Sequence, residues 1–139
     1  MAVDIQEYLE NAYRLPIVIE MYNELLQKVK TDRTDFDRIN KGKRDESSKR
    51  LVAEYHTLYD SICERITGHL QRAQQKLDHI NSMIDQVEPP IIGDILRLFY
   101  IERKTQVQIE QIVYYAPATQ RKKLKIGLAQ MQKIMDHTE

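Results

Sequence analysis

Between Ile5 and Val29, apolar side chains fall at Ile5, Tyr8, Ala12, Leu15, Ile19, Tyr22, Leu26 and Val29, in steps of three and four without a break. That spacing lays one narrow apolar stripe along an α-helix, the heptad seam of helices packed lengthwise. A strand would need alternation at every second residue, which this stretch lacks. Composition points the same way. Gly and Pro number 4 each in 139 residues, so few breakers interrupt the Glu, Gln, Lys, Arg, Leu and Ile that suit helices. Aromatic residues are only 7% and Trp is absent, against 30% charged residues, which favours long helices sharing a seam over a thick core. The expectation is an all-α protein.

Pro16 sits inside the first stripe. A proline in a helix interior removes one hydrogen bond and clashes with the preceding turn. Within a helical region of about 4–30 it predicts either a kink near Ala12–Pro16 or a short first helix that ends there. Residues 31–48 are polar with little periodicity, and Phe36 and Ile39 are their only large apolar side chains. They read as a long polar connector. A second long helix is expected to start near Ser47 or Ser48, either of which can cap it. Its stripe includes Leu51, Tyr55, Leu58, Ile62, Ile66, Ala73, Leu77, Ile80, Ile84 and Val87. Pro89-Pro90 cannot continue it. A helix of about 40 residues is roughly 60 Å long. Two such helices form an antiparallel hairpin, a dimer, or both. Residues 1–90 are therefore read as a coiled-coil-like oligomerisation region. Candidate interface residues are Ile5, Tyr8, Leu15, Ile19, Tyr22, Leu26, Leu51, Leu58 and Ile62.

The texture changes after Pro90, and residues 91–139 read as a second domain. Ile91–Ile101 predicts a short, deeply buried helix. Thr105 can cap the next, which carries Ile109, Ile112 and Val113; Tyr114-Tyr115-Ala116 makes a turn; Pro117 suits the first turn of a last helix running to about Met135. Leu124, Leu128, Met131 and Met135, spaced four, three and four, form its buried stripe. Three short helices so spaced look like a helix-turn-helix unit.

Charge divides along the same line. Residues 1–90 hold 13 Lys and Arg against 16 Asp and Glu, and residues 91–139 hold 8 against 5, so a neutral chain has a basic C-terminal part. A basic half is the one expected to meet a polyanion. On the last helix the face opposite the stripe holds Thr119, Lys122, Lys123, Lys125, Ile126 and Lys133, with Arg121 at its border. Lysines and arginine neutralise phosphates, and a glutamine early in such a helix, here Gln120, can pair with adenine. Candidate DNA contacts are thus Thr119, Gln120, Arg121, Lys122, Lys123 and Lys125, with Lys104 and Thr105 at the entry to these helices. Ile126 is a candidate contact to a thymine methyl or to a protein. No spacing of His, Cys, Asp and Glu matches a metal site, and no phosphate-cradling glycine loop or nucleophile elbow is present. No catalytic residue, metal or cofactor is expected. The tyrosines on the helical seams read as packing, and lone Cys63 as a small apolar filler. The absence of a signal-like start or a long apolar run gives the expectation of a cytoplasmic protein without a membrane partner.

Two segments resemble a known family. Glu7-Tyr8-Leu9-Glu10-Asn11-Ala12-Tyr13-Arg14-Leu15 is similar to the opening of small Gram-positive phage and prophage regulators of the RinA/ArpU type. Ile95-Leu96-Arg97-Leu98-Phe99-Tyr100-Ile101-Glu102-Arg103-Lys104-Thr105, followed by Ile109, is similar to that family's entry into its DNA-binding helices. The resemblance implies a long helical N-terminal part and a C-terminal helix-turn-helix like the promoter-reading region of sigma factors. It implies transcriptional regulation on duplex DNA, with the N-terminal helices forming a homodimer or holding another protein such as RNA polymerase. The chain departs from the pattern at Glu110, where the family has a small residue; at Tyr114, where a glycine opens the turn; and at Ala116, where a serine caps. Apolar residues expected early in the recognition helix fall on Gln120 and Lys123 in strict register, and Leu124 fits if the turn is one residue longer. These departures, with zero net charge, keep a second reading open: a non-catalytic inhibitor or adaptor for a host nucleic-acid enzyme, on a helix-turn-helix scaffold that no longer reads DNA.

Overall fold

The computed structural model describes residues 3–138, and every regular element among them is helical. The elements are α1 (Ile5–Glu10), α2 (Arg14–Ile39), α3 (Glu46–Asp85), α4 (Pro90–Leu96) running on into a π-helical turn (Arg97–Ile101), α5 (Gln106–Val113) and α6 (Pro117–Thr138). The all-α expectation holds: after the short α1 come the two long helices α2 and α3, followed by the short α4 and α5 and the 22-residue α6.

The first seam is split. Asp4 caps α1 by accepting the Gln6 N–H at 2.9 Å, and the helix stops after Glu10 in a turn over 11–13. Pro16 then lies in the first turn of α2, where its missing N–H costs nothing. Of the two outcomes expected from Pro16, the short first helix is the one observed.

The long connector is a correction. α2 continues through Ile39, and only residues 40–45 link it to α3. The polar stretch stays helical because its side chains find partners on and off the helix. Thr31 and Thr34 donate to the carbonyls of Gln27 and Lys30 at 3.0 Å each, and Arg38 pairs with Asp35 at 3.1 Å. Phe36 packs on Tyr55 with ring centroids 4.6 Å apart, and Arg33 and Asp37 pair with Asp60 and His56 across the hairpin. Asp45, not Ser47 or Ser48, begins α3: it accepts the Ser48 N–H at 3.2 Å. The Ser48 hydroxyl and then this N–H hold the Asp45 carboxyl below its ordinary range.

The chain forms two compact units, and their division does not fall at residue 90. One unit holds residues up to Ile17 together with those from Gln74 onward; the other is the hairpin Val18–Ala73. Both α1 and the end of α3 join the C-terminal helices because their apolar faces are spent there. Ile5, Leu9 and Ala12 of α1 and Ile80, Met83 and Ile84 of α3 enclose one core with Ile92, Ile95, Leu96, Leu124, Met131 and Met135. In the hairpin unit α2 and α3 run side by side, with Tyr22 stacked on His69 at 5.5 Å near one end and Phe36 on Tyr55 at the other. No residue of α2 is fully buried.

Candidate nucleic-acid interface

The C-terminal unit builds a helix, a three-residue turn and a helix on top of α4. Thr105 starts α5 with a full capping box: its hydroxyl accepts the Gln108 N–H at 3.2 Å, and Gln108 Oε1 accepts the Thr105 N–H at 2.9 Å. Tyr114 ends α5 in the left-handed region, φ 61° and ψ 28°, with its N–H on the Glu110 carbonyl at 2.8 Å. Such a C-cap favours glycine, because a Cβ there crowds the backbone. The tyrosine takes the conformation anyway, and its side chain is 86% exposed. Pro117 opens α6 as expected.

Gln120 is the main correction. It is 1% exposed and does not face solvent with the lysines. Its Nε2 donates to the Gln106 carbonyl at 2.9 Å and to the Tyr115 carbonyl at 2.8 Å. One amide thus fastens the first turn of α6 to the start of α5 and to the turn between them. It occupies the apolar position of the strict register, one helical turn before buried Leu124. Its donors are used, so it has none for a base edge.

The other candidates divide by exposure. Arg121, Lys122, Lys125 and Lys133 are exposed on α6 outside the stripe of Leu124, Met131 and Met135, with Arg121 at its border. Lys123 is half-buried, with Nζ 5.9 Å from the centroid of the Tyr115 ring, and Thr119 is half-buried beside it in sequence. Ile126 is 47% exposed among the cations. Thr105 has its hydroxyl committed to the cap. Lys104 is half-buried, its N–H bound to the Leu98 carbonyl at 2.9 Å. It lines a cleft of about 290 Å³ with Glu10, Tyr13, Phe99, Tyr100 and Arg103. There the Arg103 guanidinium lies 3.8 Å from the Tyr13 ring centroid, and Arg14 Nε donates to the Tyr13 hydroxyl at 3.2 Å. Arg14, then Arg103, hold the Tyr13 phenol below its ordinary pKa. Arg103, just after the Glu102 cap of the π-helical turn, has φ 53°, a conformation uncommon for a non-glycine residue.

Of the interface candidates, Ile5 is corrected: at 3% exposure it is sealed in its own unit's core. Tyr8 and Leu15 pack against the same core, and Lys76 Nζ sits 5.3 Å from the Tyr8 ring centroid. Burial pushes the Tyr8 phenol up. Ile19, Tyr22, Leu26 and Ile62 are half-buried in the hairpin, while Leu51 and Leu58 are exposed.

Several residues that position α6 have no signature in the sequence. Gln130 exchanges hydrogen bonds with the backbone of Glu88, accepting its N–H at 2.9 Å and donating to its carbonyl at 2.6 Å. Gln132 does the same for the chain entering α1, accepting the Ile5 N–H at 2.9 Å and donating to the Val3 carbonyl at 2.8 Å. Gly127 lets α6 cross α4 closely: a Cβ there would lie 2.8 Å from Leu96 Cδ1 and 2.9 Å from Ile92 Cγ2. A glutamine in a helix of mixed polarity looks like any solvated residue. Only the position of Gly127 within a buried stripe hints at a crossing.

Comparison of the chain with protein-family models, with curated proteins and with solved structures finds no match. Among the described residues no group of three or more His, Cys, Asp or Glu could hold a metal ion, and no helix is long and apolar enough to cross a membrane.

Proposed function

We propose that this protein is a phage- or prophage-type transcriptional regulator that binds duplex DNA through α5 and α6. The observation that carries the reading is the row of exposed cations on α6. Arg121, Lys122 and Lys125 lie within about one helical turn of each other, on a helix whose opposite face is buried. A row of this kind neutralises successive phosphates, and the resemblance of the α1 and α4 segments to RinA/ArpU-type regulators supports the same assignment. With Gln120 spent on backbone carbonyls, Thr119 and Ile126 are the residues left to touch base edges. The test is a gel shift of the full chain against DNA from upstream of its own gene, over a series of salt concentrations. Binding should weaken steeply with salt. Lys122→Ala with Lys125→Ala should weaken binding to all sequences and flatten the log–log salt slope by about 1 unit per lost contact. Absence of salt-sensitive affinity for any duplex would end this reading.

One observation favours a second reading, a non-catalytic adaptor or inhibitor of a host nucleic-acid enzyme. Val107, Ile112 and Tyr114 are exposed on and just after α5, where a DNA-binding unit has little use for apolar side chains. Retention of a host nucleic-acid enzyme on the immobilised chain, lost on Ile112→Asp, would favour it.

A further inference from the structure

The hairpin unit carries an apolar face that its own two helices leave open. On α3 that face runs along Leu51, Tyr55, Leu58, Ile62, Arg65 and His69, in steps of four, three, four, three and four, with Tyr55 and His69 at its edge toward α2, where their rings also pack on Phe36 and Tyr22. Leu51, Tyr55 and Leu58 are among the exposed large apolar side chains of the chain. Next to them, Ile62, Arg65 and His69 line a groove of about 310 Å³ with Tyr22, Leu25 and Ile66. The other end of the face is a second cleft of about 310 Å³, lined by Leu51, Glu54, Tyr55 and Leu58.

The spacing of these residues is symmetric about the level of residue 60. When α3 is laid antiparallel on a copy of itself, Leu58 meets Ile62, Tyr55 meets Arg65 and Leu51 meets His69. By symmetry each meeting occurs twice. The charges follow the same rule. Glu54 flanks Tyr55 and comes beside Arg65 of the other copy. Neither Glu54 nor Arg65 has an ion pair or side-chain hydrogen bond of its own among the described residues. A tyrosine ring opposite an arginine adds a cation–π contact. A two-fold interface needs a surface that complements itself, with residue i on j and j on i. In this pairing the ridge of Leu51, Tyr55 and Leu58 is set opposite the groove beside Leu25 and Ile62, as knobs into holes between long helices require.

We propose that the α2–α3 hairpin is the interface between two copies of this chain, with the α3 helices antiparallel about a two-fold axis at the level of residue 60. The inference rests on the hairpin alone and stands whatever α6 binds.

The decisive experiment is charge exchange, read by sedimentation of the full chain at micromolar concentration. The unaltered chain should sediment as a dimer. Glu54→Arg and Arg65→Glu each replace two attractions by two like-charge contacts, and each should weaken the dimer roughly tenfold or more. The double variant Glu54→Arg with Arg65→Glu should recover it. Leu58→Asp should give a monomer with an unchanged helical spectrum, because Leu58 is 51% exposed within its own hairpin. Glu54 and Arg65 are both on the surface, so the exchange remains readable even if Leu58→Asp unfolds. A monomer from the unaltered chain, or a double variant no stronger than its parents, would overturn the proposal.

Discussion

The two units use their apolar residues in opposite ways. In the C-terminal unit the apolar stripes of five helices close on one another, and Leu9, Ile80, Ile95, Leu96, Ile109 and Met131 are fully enclosed. Its polar joints are closed as well, each glutamine of α6 being matched to backbone groups. In the hairpin unit only Ile66, Leu70 and Ala73 are buried, and Ile19, Tyr22 and Leu26 are covered on one side only. Two helices in contact bury one seam. A helix with apolar residues over a wider arc keeps the remainder for something else. One unit is therefore organised by what it encloses, the other by what it leaves open.

Substitutions should separate the units sharply. Ile95→Ala, at 0% exposure, should lower unfolding free energy by about 2–5 kcal/mol, because the core around it cannot collapse fully. Leu58→Ala in the hairpin, measured at dilution, should stay within about 0.5 kcal/mol. Equal losses in urea unfolding would break the comparison. Gln120→Ala should cost about 1–3 kcal/mol by leaving the Gln106 and Tyr115 carbonyls without their donor. A change in DNA sequence preference with no change in melting would instead return Gln120 to the proposed DNA-contacting face.

The glycines sharpen the contrast further, because one substitution should have opposite signs. Gly127→Ala should destabilise by about 1–3 kcal/mol, since its methyl meets Leu96 and Ile92 inside a filled core. At Gly68 on α3 the nearest atom to a new Cβ is the Arg72 side chain at 3.5 Å, ordinary contact. Gly68→Ala should therefore stabilise by about 0.5–1 kcal/mol through helix propensity. Thermal melts of the pair decide it.

The smallest effect lies at the start of α3. A carboxyl with a depressed folded pKa stabilises the fold above its unfolded pKa, and that contribution is lost as pH falls through the folded value. Asp45 is of this kind. Its carbon resonance should titrate below the ordinary aspartate range, and Ser48→Ala should move the midpoint back up.

What could be read from the chain was what depends on neighbours in sequence. The Thr105 cap, the turn at 114–116, Pro117 at the head of α6 and the Leu124–Met135 stripe all follow from local chemistry. So does the stop at Pro89-Pro90. The failures have distant partners. Residues 31–39 look like a connector until Phe36 meets Tyr55 and Arg33 meets Asp60. Gln120 looks like a base-reading side chain until the carbonyl of Gln106, 14 residues away, comes within 2.9 Å. The division of the chain was invisible for the same reason: nothing near Ile5 in sequence reveals that Gln132 holds its N–H.

The clamps on α6 also determine how the protein responds to its medium. Gln120, Gln130 and Gln132 carry no charge and no titratable proton, so the bonds that seat α6 do not change across the ordinary pH range. Hydrogen bonds between neutral groups are also little affected by added salt, whereas contacts between exposed lysines and phosphates are screened and displaced. Ionic strength is therefore a selective reagent on this molecule. If α6 binds DNA as proposed, raising it strips the polyanion while the scaffold beneath stays assembled, so a salt titration reports the surface rather than the fold.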